Sequence, residues 1–153
     1  MGAAMTGETT VRPARPSDRA AWEPLWQGYL TFYKSSLAPD VTEATWQRFF
    51  DPMEPLYALV AERDGWLIGF THYLLHRSTW APVCYCYLED LFVEPSVRGG
   101  GTGRALIAAV EAAARAAGAS RLYWLTHETN ETAQTLYNKV AERAGFIQYR
   151  KKL

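Results

Sequence analysis

Two neighbouring carboxylates, Glu89 and Asp90, sit inside residues 83–93, V-C-Y-C-Y-L-E-D-L-F-V, an otherwise apolar and aromatic run. An ionised carboxylate in such surroundings is costly unless it is paired or takes part in chemistry. Glu89 therefore reads as a general base or as a structural ion-pair partner. On a regular strand Asp90 points to the opposite face. A few residues later, 97–107 read V-R-G-G-G-T-G-R-A-L-I, with Gly99, Gly100, Gly101 and Gly103 bracketed by Arg98 and Arg104. Glycines between a strand and a helix let backbone N–H groups converge without Cβ clashes. At a helix N-terminus those groups and the helix dipole bind phosphate, and the two arginines add charge.

Two other glycine-loop chemistries fail on detail. A P-loop needs Lys and then Ser or Thr after its last glycine, whereas Arg104-Ala105 follows Gly103. A dinucleotide fingerprint needs a third glycine that the spacing from Gly99 or Gly101 does not supply. A nicotinamide-binding domain is therefore disfavoured. His72, His76 and His127 lack the spacing and the clustered partners of a metal set. Cys84 and Cys86 are one residue apart, poor spacing for a disulfide, and read as buried reduced thiols of a cytoplasmic protein.

The elements that must position these groups follow from periodicity. The chain has 153 residues, enough for one domain with a real core. Its 16 basic and 16 acidic residues cancel, so no global field recruits nucleic acid or an anionic membrane. No apolar run approaches a membrane span. Residues 1–8 read as a disordered leader and 9–12 as a short strand. Ser17 and Asp18 start a helix whose Trp22, Leu25, Trp26, Tyr29 and Tyr33 share one face, with Tyr29 and Tyr33 placed to reach a pocket. Residues 42–50 suggest a second helix. Residues 56–63 and 66–76 form a hairpin through Asp64-Gly65. Residues 83–93 read as a central strand buried on both faces.

Residues 104–117 are helical, with Leu106, Val110, Ala113 and Ala117 as a stripe and Gly118 as a cap. Residues 121–126 form another strand. Asn130 N-caps a helix to about residue 144 that carries Ala133, Leu136, Tyr137 and Val140 on one side. Gly145 ends it, and 146–149 read as a last short strand. Strands interleaved with helices point to an α/β or α+β fold on a mixed sheet.

This arrangement resembles the GNAT superfamily of N-acetyltransferases. The family's loop has a basic or amide residue, two free positions, glycine, one free position, then glycine or alanine. Here these are Arg98, Gly101 and Gly103, after an apolar strand and before a helix. Downstream, Asn130, Ala133 and Tyr137 match the family's asparagine-opened helix, and V-R-P-A-R-P-S-D looks like its first strand and helix start. Within the superfamily, Y-L-E-D-L-F-V resembles the spermidine/spermine acetyltransferases, and Y-W-L-T-H-E-T-N the histone/polyamine branch.

The resemblance implies one domain on a central, mixed, mostly antiparallel twisted sheet flanked by helices. It implies acetyl-CoA as co-substrate, no metal, and acetyl transfer to a primary amine, polyamine or lysine-like, by direct attack in a ternary complex. A bulge in the 83–93 strand would bring Glu89 and Asp90 to the substrate together. The same bulge would free the N–H groups of Leu91 and Val93, on either side of Phe92, for the thioester and pantetheine arm. The loop from Arg98 through Gly99, Gly100, Gly101, Thr102 and Gly103 to Arg104 would hold the pyrophosphate, with Asn130 and Ala133 beside the cofactor. Tyr137 would be the acid at the sulfur, while Tyr29, Tyr33 and His76 would line the acceptor pocket. Cys84 and Cys86 are a counter-reading as acetyl carriers, yet they precede the site and lack a paired base. Many members carry another strand beyond the position of Tyr149, so the sheet edge here is left open or completed by a partner, a homodimer. The alternative function is a non-catalytic acetyl-CoA-binding regulatory module, against which Glu89 and Tyr137 speak.

Overall fold

Asp64 and Gly65 turn the chain with φ of 51° and 79°, the left-handed pair that a two-residue hairpin needs. They join β2 (Leu56–Arg63) to β3 (Trp66–His76), as the sequence predicts to the residue. In this computed structural model, which describes residues 4–153, β2 and β3 are the middle of a five-stranded sheet. Its order is β1 (Thr10–Pro13), β2, β3, β4 (Tyr85–Val93) and β5 (Arg121–Tyr123). All pairings are antiparallel except β4 with β5, which is parallel.

Alternation along the strands sends side chains to two helical layers. Val60, Phe70 and Phe92 meet Trp22, Leu25, Trp26 and Leu30 of α1 (Arg19–Phe32) and Trp46 of α2 (Pro39–Arg48). On the other face Leu59, Tyr73, Cys86 and Leu88 meet Ile107, Val110 and Ala114 of α3 (Thr102–Ala116), and the helix α4 (Glu131–Val140) adds Leu136, Tyr137 and Val140. Gly118, at φ 77°, ends α3: the N–H of Ala119 reaches the carbonyl of Ala114, and that of Gly118 the carbonyl of Arg115.

The first strand is tied to the sheet by charge. Arg12 binds Asp18 at 2.8 Å and Glu62 at 2.7 Å, and the Arg15 N–H adds a 2.7 Å bond to Asp18. Arg12 holds the Asp18 carboxyl below its ordinary range despite burial, which acts the other way.

Four expectations change. Residues 1–3 of the predicted leader lie outside the described residues. The part that follows is docked: Thr6 and Gly7 donate backbone N–H to Asp64 at 3.1 and 3.2 Å, and Met5 packs on the core. The strand β4 is not buried on both faces, because β5 accompanies only Tyr85 to Tyr87 and Glu89 is left exposed. The helix α4 stops at Val140, short of Gly145. Residues 146–149 form no strand; among the described residues, everything after Val140 is exposed and unpaired in any ladder.

Candidate active site

The register of β3 against β4 slips once. His72 faces Asp90 and Tyr73 faces Leu88, so Glu89 is the extra residue of a bulge. The slip reverses which residues share a face. Leu88 and Leu91, three apart, both pack toward α3, whereas Phe92 packs toward α1 beside Phe70 and Asp90 meets His72. The bulge therefore puts Asp90 on the α1 face with Glu89 next to it.

The ladder also fixes where β4 is open. Glu94 donates its N–H to Ile68 at 2.8 Å. In an antiparallel pair the bonded positions recur every second residue, so Phe92 and Asp90 aim their N–H groups at β3, and Leu91 and Val93 aim theirs away. On that far side β5 has already ended at Tyr123. Residues 88–93 thus line a cleft with unpaired backbone donors, as the implied bulge requires.

Asp90 is held from several directions. Its backbone carbonyl accepts from the Thr71 hydroxyl at 2.8 Å. Its carboxylate is 2.9 Å from His72 Nδ1, and the indole Nε1 of Trp22 donates to His72 Nε2 at 3.1 Å. Since Nε2 accepts from an N–H, the hydrogen-bond network assigns the imidazole proton to Nδ1, which donates to Asp90. His72 is fully buried between Phe49 and Phe70, with ring centroids 4.5 and 4.6 Å away. Sequence reasoning missed this chain of contacts. The only signal was a histidine two residues after Phe70, on the same buried strand face.

Tyrosines close the cleft over these carboxylates. Tyr29 and Tyr33, one helical turn apart on α1, have rings 5.0 Å from each other. Burial raises the pKa of Tyr29 far above its usual value, and the charge of Asp90 and then Glu89 adds to this. Burial and Asp90 also raise Tyr33. Tyr137 is pushed up to about 12 by burial, with a smaller contribution from Tyr33, so it stays protonated and can donate. Trp124 packs edge-on against Tyr137 at 5.5 Å. Partial burial, and secondly Asp90, lift the Glu89 carboxyl above its ordinary value. The structure thus gathers Tyr29, Tyr33, Glu89, Asp90 and Tyr137, four of them distant in sequence.

The glycine loop meets the demands of a pyrophosphate. Gly99 and Gly101 have φ of 86° and 84°, and nothing lies within 4 Å of a Cβ built on either. The glycines are there for backbone conformation, not for lack of room. Gly101 is the N-cap of α3, which leaves the first N–H groups of the helix free. The buried hydroxyl of Thr102 has no hydrogen-bond partner in the protein, an orphan donor at the helix mouth. Gly103 packs where a Cβ would touch Leu136 at 3.5 Å and Val93 at 3.9 Å, bringing α3 close to α4 and β4. Arg104 is exposed. Arg98 folds back, its Nε donating to the Val93 carbonyl at 2.9 Å and its guanidinium 5.3 Å from the Phe92 ring centre. Asn130 caps α4 by accepting from the N–H of Ala133 at 3.2 Å.

His76 is not brought to this cleft. It pairs with Tyr85 at the other end of β4, on the order of 13 Å from Glu89 at the usual strand rise. Its ring lies between the Arg77 carbonyl at 2.8 Å and the Tyr123 hydroxyl at 2.7 Å, a structural role; Trp80, beyond it, is exposed. Cys86 is buried and its thiol is pushed up to about 11 by that burial, the opposite of an activated nucleophile. Among the described residues no group of three metal-ligating side chains forms.

Comparison with known proteins agrees with the fold. Residues 20–141 match the model of a family described as the acetyltransferase (GNAT) family. The D-amino-acid N-acetyltransferase HPA3 of Saccharomyces cerevisiae is 37% identical over 143 residues, covering 92% of this chain and 89% of that protein. An aminoglycoside N(6')-acetyltransferase of Stenotrophomonas maltophilia is 35% identical over 74% of this chain and 72% of its own. Among solved structures, a ribosomal-protein-alanine N-acetyltransferase from Brucella melitensis biovar Abortus 2308 superposes with TM-score 0.81 at 22% identity, over 95% of this chain and all of that one. The enzyme AAC(6')-Iy, bound to a coenzyme A bisubstrate analogue, superposes with TM-score 0.82 at 22% identity, over 95% and 99% of the two chains.

Proposed function

Because the chain belongs to the acetyltransferase (GNAT) family, we propose that it moves an acetyl group from acetyl-CoA to the primary amine of a small cationic acceptor, such as a polyamine or a lysine-like amine. The carrying observation is the bulge that sets Glu89 beside Asp90 at the open side of β4. An amine of pKa about 10 must lose a proton before it attacks. Glu89 takes that proton, directly or through water, and its raised pKa makes it a better acceptor. Asp90, steadied by His72, attracts positive charge on the acceptor. The N–H groups of Leu91 and Val93 steady the acyl oxygen as it gains charge, and Tyr137 donates to the departing sulfur.

The donor lies along β4 past Phe92, with its pyrophosphate on the N-terminus of α3 among Gly99, Gly100, Gly101, Thr102 and Gly103. Arg104 supplies charge there, Arg98 borders the loop, and Asn130 and Ala133 open the helix beside it. Tyr29 and Tyr33 wall the acceptor side. Transfer is direct, since neither cysteine is activated. A cytoplasmic homodimer completes the reading.

A second reading, transfer to the amine of a free amino acid, is favoured by the 37% identical D-amino-acid N-acetyltransferase. Thiol release from acetyl-CoA against polyamines, lysine peptides, D- and L-amino acids and aminoglycosides separates the two. Turnover should be best with amines that carry a second positive charge and no adjacent carboxylate. Turnover confined to amino acids overturns the cationic acceptor. Binding of acetyl-CoA with no release for any amine would leave a non-catalytic module.

A further inference from the structure

We propose that residues 142–153 of one copy fill a groove and extend the β5 edge of a second copy, so that two chains exchange C-terminal arms. The arm is an anomaly by itself. Phe146 is 89% exposed, Ile147 75% and Tyr149 89%, although G-F-I-Q-Y is a strand-forming run. Among the described residues no hydrogen bond joins 142–153 to the rest of the chain; the one it makes runs from Arg150 to Gln148 at 3.2 Å. Adjacent large apolar side chains held in water mark a contact surface.

The way the arm leaves its domain shows that it is displaced. Ala141 is fully extended, with φ −153° and ψ 179°, yet Ala141, Glu142, Arg143 and Ala144 are ordinary helix formers. Gly145 has φ 82°, the conformation that ends a helix. The helix therefore stops four residues before its own stop signal, and residues 141–144 form a hinge.

The receiving surface is adjacent. A groove of about 240 Å³ lies between α3, β5 and the end of α4, lined by Ile107, Ala114, Leu122, Trp124 and Val140 among others. Beside it the outer edge of β5 pairs with nothing among the described residues. The arm starts from the rim of this groove but in extended conformation. At about 3.3 Å per residue it carries Phe146 roughly 16 Å past Ala141, beyond the groove of its own chain. Each copy thus offers an empty apolar groove and, next to it, an apolar arm that overshoots it.

A two-fold axis satisfies both, closing the exchange without leaving a free end. Backbone pairing along β5 supplies register, and the alternate side chains supply contact. The aromatic side chains alone bring about 150–250 Å² each to such a contact. Two arms with their Phe, Ile and Tyr bury on the order of 1,000 Å² of arm surface, and the grooves as much again, within the range of a stable interface.

The test needs no substrate, so its failure is separable from failure of the acetyl-transfer reading. Light scattering over a concentration series should give twice the 17.3 kDa chain mass, and Phe146→Asp with Ile147→Asp should halve it while circular dichroism stays unchanged. Independently, in a Cys84→Ser background, a Ser120→Cys chain mixed with a Phe146→Cys chain should form a disulfide-linked heterodimer. A chain that is monomeric at every concentration overturns the proposal. So does a chain carrying both cysteines that links only within itself at monomer mass, and so does a dimer indifferent to Phe146 and Ile147.

Discussion

At Glu89 the argument turns on which protonation state works. A base must be ionised, and burial together with Asp90 raises the carboxyl pKa, so activity falls as pH drops through that raised value. Glu89→Gln should lower kcat by about 10²–10⁴-fold and erase the acid limb of the pH–rate profile; a retained limb assigns the base elsewhere. His72 touches neither substrate nor donor and acts through Asp90. His72→Phe leaves the carboxylate without its 2.9 Å partner and the Trp22 indole N–H unpaired in the core. The amine KM should rise about tenfold or more, with the acetyl-CoA KM unchanged. His72→Asn, which keeps a donor near the Nδ1 position, should recover part of the loss. A uniform drop in kcat with both KM values unmoved would reduce His72 to a packing residue.

At the scale of elements, local chemistry was legible and pairing was not. The Asp64-Gly65 turn, the Asn130 cap and the Gly118 stop each depend on a few adjacent residues, and each forms where the sequence predicts it. The bulge at Glu89 has no local signature and came only through resemblance to a family. The chain from Trp22 to His72 to Asp90 spans three elements and exists only once α1 packs on the sheet. The predicted strand at 146–149 has strand composition, but a strand needs an edge to pair with, and the arm does not reach one in its own domain. The cradle at α3 is the element where local backbone and function meet most directly. Gly101 at φ 84° caps that helix with open space around it. Gly101→Ala should therefore cost about 1–2 kcal/mol in backbone strain rather than in collision. The expected result is a several-fold rise in the acetyl-CoA KM with the amine KM unchanged; an equal rise in both would mean that the loop does not hold the donor.

For the whole molecule, the two ends of the sheet are finished differently, and the difference has a pH signature. The β5 end is left unpaired, while the β1 end is closed by Arg12 between Asp18 and Glu62. Asp18 is mostly buried, and its pKa falls on folding, chiefly because Arg12 donates to it. A carboxyl depressed in this way stabilises the fold only while ionised. Its contribution is complete above the unfolded value of about 3.9 and disappears as pH falls through the lower native value. Urea midpoints of the native chain should therefore climb as pH rises toward about 4 and then flatten with respect to this group. Asp18→Asn should remove that climb. It should also cost about 2 kcal/mol at neutral pH, because Arg12 is left partly buried with one partner fewer. If the urea midpoint of Asp18→Asn follows the native chain at every pH, the node does not hold β1, and the α1 layer alone seats that strand.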